Sequence, residues 1–200
     1  MAAKKTKKVI KFGKFRWVAA SAIFAIIAGM CFIAPPADNQ EVFDNNFMAY
    51  EDEITQELDM MLATRGAGDE NDEARKELQK MRDAMEHYNN KEYLDAIPMF
   101  KDYLKENPDA HDVQNIKFYL AVSFLGNKQT EDSKPLLEEL VQSTNQELKE
   151  DAQWYLSLTY ARMEQPDAAR DILKELTTSE KYGAKADKIL NPAKQNVVFK

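Results

Sequence analysis

From residue 73 onward, apolar positions recur every three or four residues, the spacing that places side chains on one helix face. The pattern predicts paired helices at 73–88 and 92–106, at 112–125 and 131–142, and at 147–163 and 167–176, with turns at 89–91, 126–128 and 164–166. Within 77–176 the same residue types return at a fixed offset. Ala84, His87, Ala96, Phe100 and Tyr103 are followed 37 positions later by Ala121, Phe124, Ser133, Leu137 and Leu140. A further 36 positions on come Ser157, Tyr160, Ala169, Leu173 and Leu176. Small residues let two helices cross closely and large ones fill the seam between them, so the expected fold is all-α, a stack of three helical hairpins. Tyr182, Ala186, Ile189 and Leu190 extend the helical spacing over 180–190 and predict a helix covering the last pair. Residues 191–200 form a tail that ends in Val197-Val198-Phe199.

Two other apolar patterns precede the repeats. Residues 17–34, WVAASAIFAIIAGMCFIA, carry no charge and would span roughly 27 Å as a helix, close to a hydrocarbon core. A cleaved signal peptide needs small residues at the last and third-last positions. Phe32 spoils a site ending at Ala34, and Pro35 one ending at Ala37, so an uncleaved anchor is expected. In 35–72, a linker and an amphipathic segment follow. Phe43, Phe47, Tyr50, Ile54, Leu58 and Met61 make a helical stripe with acids opposite. Packing within the chain is the favoured role, as a cover for the open N-terminal end of the stack. A dimer seam and a detachable segment lying in the repeats' own groove are the alternatives. Residues 64–72, TRGAGDEND, read as a loose turn.

The small-large rhythm resembles the tetratricopeptide-repeat family, and Asn107-Pro108 closes the first copy as that family's repeats close. The chain departs from the family in its period, 36 or 37 where about 34 is usual, in His87, and in lacking a closing proline in the second and third copies. In the family, the first helix of each hairpin lines a concave groove. The resemblance therefore implies a protein-binding groove from Met81, Met85, Tyr88 and Asn89 of the first copy, Phe118, Val122 and Leu125 of the second, and Trp154, Leu158, Ala161 and Arg162 of the third. That face is mostly apolar and suits a helix or extended segment of a partner.

Charge changes the picture at one end only. The formal net charge is −7, yet residues 1–16 hold seven basic residues and no acid, so the remainder carries 20 basic against 34 acidic residues, a net of −14. A domain that acidic is repelled by phosphate backbones, so no nucleic-acid partner is expected. The basic cluster just before the apolar run places residues 1–16 in the cytoplasm and the repeats outside, as in a bacterial-type inner membrane with a single span. Basic tail, one span and acidic repeat domain are together similar in layout to the ancillary translocon-subunit family.

Candidate chemistry is sparse. His87 and His111 lack the close spacing of a metal pair, the six glycines are scattered, and Cys31 is alone and within the apolar run. No enzyme, metal, cofactor or small-molecule substrate is expected. The expected function is a membrane-tethered adaptor that binds a protein or peptide in the groove, in envelope secretion, folding or assembly. The alternative is a membrane scaffold that self-associates as a homo-oligomer through 43–61.

Overall fold

The computed structural model describes residues 39–65 and 73–192. The expectations for 1–38, 66–72 and 193–200 lie outside the described residues, among them the basic tail, the apolar run 17–34 and the Val197-Val198-Phe199 tail. Among the described residues no helix is long and apolar enough to cross a membrane. Those residues form α-helices and no strand: α1 Asn39–Asn46, α2 Thr55–Arg65, α3 Glu73–Asn89, α4 Tyr93–Glu106, α5 Val113–Gly126, α6 Thr130–Leu140, α7 Gln146–Arg162, α8 Pro166–Leu176 and α9 Gly183–Leu190.

From α2 to α9, helices consecutive in sequence pack on each other, except that α9 is the last and has only α8. The three pairs α3/α4, α5/α6 and α7/α8 stand where the residue rhythm put them. Ala84, Ala96, Ala121, Ser133, Ser157 and Ala169 are buried, and so are the large Phe100, Phe124, Leu137, Leu140, Leu173 and Leu176. His87, Tyr103 and Tyr160 are half-buried. Close approach at the small positions also satisfies a polar group, since the Ser133 hydroxyl on α6 donates to the Ala121 carbonyl on α5 at 2.9 Å. Pro98 and Pro135, at matching positions in α4 and α6, are exposed.

The turn inside each pair repeats as well. Lys91, Lys128 and Glu164 have positive φ of 62°, 64° and 57°. Each turn carries the same two bonds: Lys128 N–H to Leu125 O at 3.1 Å and Gln129 N–H to Phe124 O at 2.8 Å, with counterparts at 91–92 and 164–165. This is a Schellman closure, which spends otherwise unpaired helix carbonyls on the next two amides and forces the intervening residue into the left-handed region. Gly126, the end of α5, faces the Tyr93 ring so closely that a Cβ there would lie 2.3 Å from it. The glycine is thus needed for close approach of α4 and α5.

The stripe at 43–61 is not one helix. Residues 47–54 are non-helical, and the two halves do different things. α2 packs on α3 and covers the N-terminal end of the stack with Leu58 buried, while α1 packs on α7, the far end of the array. Between them the chain crosses the face shared by α3, α5 and α7.

Candidate functional site: an extended segment across the first helices

The break in the stripe is imposed from both sides. Asp52 Oδ1 accepts from the amides of Ile54 at 3.0 Å and Thr55 at 2.9 Å, so α2 starts there. Its other oxygen accepts from the Asn89 side chain at the end of α3. Burial raises the Asp52 carboxyl, but hydrogen bonds from Thr55, from the Asn89 side chain and from the Ile54 amide outweigh it and hold the group below its ordinary range.

On either side of Asp52, main-chain groups that would have bonded within a helix are taken by tyrosines, one from each first helix. Tyr88 of α3 donates its hydroxyl to the Tyr50 carbonyl at 2.9 Å. Tyr119 of α5 accepts from the Glu53 amide at 3.1 Å and contacts the Glu51 carbonyl at 3.3 Å. Tyr155 of α7 donates to the Met48 carbonyl at 2.7 Å. All three rings are buried. That burial is the main reason their hydroxyls titrate well above the usual phenol range, so they remain protonated donors at neutral pH. Residues 39–54 form an arm, and its stretch from 48 to 53 is therefore held largely through backbone.

Three side chains of the arm add selectivity. Phe43 is buried, stacks on Phe47 with centroids 5.0 Å apart, and lies under the Arg162 guanidinium at 4.3 Å. Phe47 meets the edge of Tyr155. Tyr50 sits between the rings of Phe118, Tyr119 and Tyr155, at 4.9, 6.1 and 6.4 Å. Its hydroxyl reaches Asp151 Oδ2 at 2.7 Å and Glu53 Oε1 at 2.9 Å, with Lys181 Nζ at 3.3 Å. Asp151 is 1% exposed and its other oxygen accepts from Tyr182 at 2.6 Å and Lys181 at 2.7 Å. One carboxylate thus joins the arm, the third pair and the segment leading into α9. Burial first, and the Asp151 and Glu53 carboxylates after it, push the Tyr50 hydroxyl far above its ordinary value. A phenol has one hydrogen to give, so only one of these carboxylates receives it. The shorter contact and the buried position favour Asp151, leaving Glu53 as a surplus negative charge.

Of the residues expected to line the groove, Tyr88, Asn89, Phe118 and Arg162 meet the arm. Met85, Val122, Leu125, Leu158 and Ala161 are buried in the packed core. Met81 is buried at the edge of a cleft of about 350 Å³ shared with Ile54, Leu58 and Met61 of the α2 side. Trp154 turns the other way and stacks on Tyr182 at 5.0 Å. Tyr119, Asp151 and Tyr155 complete the site and were not on the expected line, which ran one residue earlier along α5 and α7. A signal for them existed. Tyr119 and Tyr155 are 36 positions apart, hence at one repeat position, and a repeated tyrosine on a face otherwise made of core residues needs a hydroxyl partner. Elsewhere, His87 Nδ1 lies 2.7 Å from Glu92 and near Asp95. These groups are exposed or half-exposed, and an ion pair that raises the His87 value accounts for them.

The tetratricopeptide repeat family matches residues 151–179, which run through α7 and α8 and include Asp151 and Tyr155. No curated protein and no solved structure matches the chain. The described residues are thus a helical stack whose third pair is similar to a tetratricopeptide repeat, a likeness that suggests a role in protein–protein interaction.

Proposed function

We propose that this chain is a protein–protein interaction adaptor: a short tetratricopeptide-type array whose inner face holds an extended polypeptide segment, moored to a bacterial-type inner membrane by residues 17–34 with the array on the far side. The observation that carries this reading is the row of hydroxyls from Tyr88, Tyr119 and Tyr155, one per first helix, on the backbone of a segment crossing them. Main-chain bonds that give affinity, with a few side-chain seats that give specificity, are a general way of holding an extended peptide. Mooring raises the concentration of envelope partners near the face, which suits a weak binder in secretion, folding or assembly. The reading involves no catalytic step, metal or cofactor.

A photo-crosslinking residue placed at position 115, exposed beside Tyr50 on the face itself, tests the adaptor in cells. An envelope protein crosslinked there, and protease access to the array in spheroplasts but not in intact cells, are the expected results. Adducts only to the chain itself, or an array protected in spheroplasts, would refute it. The scaffold alternative is disfavoured, because Phe43 and Leu58 of the 43–61 stripe are buried within the chain and present no seam to a second copy.

A further inference from the structure

The segment seated on the inner face is well held except at Glu53, and that one misfit says what would fit better. Its hold is divided between backbone bonds, which any sequence can make, and the aromatic seats of Phe43, Phe47 and Tyr50. α1 has eight residues and a single buried one, Phe43, so it has little stability away from α7. Residues 47–54 carry no helical ladder to break, and the Asp52 cap leaves α2 on α3 if the stretch before it lifts. Beside Tyr50, Glu53 brings a second carboxylate to a hydroxyl that has one hydrogen. Next to it lies a cleft of about 110 Å³ bordered by Asn115, Asn145, Glu147 and Asp151, whose two carboxylates share the Lys181 ammonium at 3.9 and 2.7 Å. An acid at position 53 faces a wall that would accept a cation.

We propose that the arm stands in for a partner's segment: an extended stretch with a tyrosine in the Tyr50 seat, an aromatic residue three positions before it and a lysine or arginine three positions after it, which expels the arm on binding. This rests on the interaction role above and adds the identity of the ligand and its control. The aromatic spacing is that of Phe47 and Tyr50, the phenol is required by Asp151, and the cation replaces Glu53 against Glu147 and Asp151.

The test uses the full chain and a labelled peptide of residues 39–54, read by fluorescence anisotropy. Phe47→Ala with Tyr50→Ala empties two seats of the resident arm, and the peptide binds that chain at least tenfold more tightly than the wild-type chain, whose own arm competes. A peptide with Glu53→Lys binds about two- to fivefold more tightly than its parent, the gain of one exposed ion pair. A peptide with Tyr50→Phe binds about fivefold more weakly, the loss of one charge-assisted hydrogen bond at a half-buried site. Far-UV circular dichroism checks that the acceptor keeps its helices, and Tyr50→Ala alone serves if the double variant does not. No binding to a helical acceptor overturns the proposal, as does a lysine peptide that binds no better than the parent. A wild-type chain that dimerises by exchanging arms overturns it in favour of a second copy. Partners captured in cells without peptide binding would leave the adaptor role and remove this ligand; peptide binding without any cellular partner would do the reverse.

Discussion

If Asp151 seats the arm, removing its bond to Tyr50 must cost stability in a way that depends on Asp151. Tyr50→Phe deletes the hydroxyl and keeps the ring among Phe118, Tyr119 and Tyr155. A hydrogen bond to a charged group is worth about 1.5–3 kcal/mol net, and the half-buried position puts this one at the low end. Releasing Glu53 from the shared hydroxyl returns a few tenths of a kcal/mol, so the expected loss is about 1 kcal/mol. Asp151→Asn keeps the shape, removes the charge and leaves Lys181 facing an amide. Breaking a buried pair costs about 3–5 kcal/mol, and the partial exposure of Lys181, 41% at its side chain, reduces this to about 2–4 kcal/mol. Tyr182→Phe, whose hydroxyl is buried at 2.6 Å from the same carboxylate, should fall between them at about 2 kcal/mol. Urea unfolding followed by circular dichroism, closed as a double-mutant cycle, is the assay. A coupling near 1 kcal/mol between Tyr50→Phe and Asp151→Asn is expected. Additivity within about 0.3–0.5 kcal/mol would mean that the two groups do not interact and that the arm is not seated by this bond.

Gly126→Ala should destabilise by about 1–3 kcal/mol, because the new methyl meets the Tyr93 ring and overpacks the α4/α5 crossing; thermal unfolding reads it. Lys128→Gly should stabilise by roughly 1 kcal/mol, since glycine takes the left-handed closure without the Cβ penalty, and Lys91→Gly and Glu164→Gly should do the same; urea midpoints check each. Phe100→Ala should cost about 3–5 kcal/mol from the cavity left in the first pair, again by urea unfolding. The Asp52 cap should make the arm acid-sensitive. A carboxyl held below its unfolded value of about 3.8 stabilises above that pH and loses the contribution as pH falls through the lowered value, so the protection factors of the Ile54 and Thr55 amides, corrected for intrinsic exchange, should fall below about pH 4 and should not do so in Asp52→Asn.

The repeat was readable from the sequence because its causes are local or recur at a fixed offset. Helical spacing, small residues at crossings such as Ala84, Ala121 and Ser157, and turns at Lys91, Lys128 and Glu164 each depend on neighbours a few positions away. The helix bounds expected from them agree with the structure to within a few residues. The path of residues 39–54 has no such local cause. Phe43, Phe47, Tyr50, Ile54, Leu58 and Met61 satisfy a helical stripe equally well whether the chain continues as a helix or opens to lay rings on a groove. What opens it are hydroxyls 38, 66 and 107 positions further along, on Tyr88, Tyr119 and Tyr155. The sequence alone determined that helices would pair, since their faces need each other. Only the packed array brought those three tyrosines and Asp151 into line, and a main-chain carbonyl chooses its partner by position in space, which no pattern of side chains along the chain records.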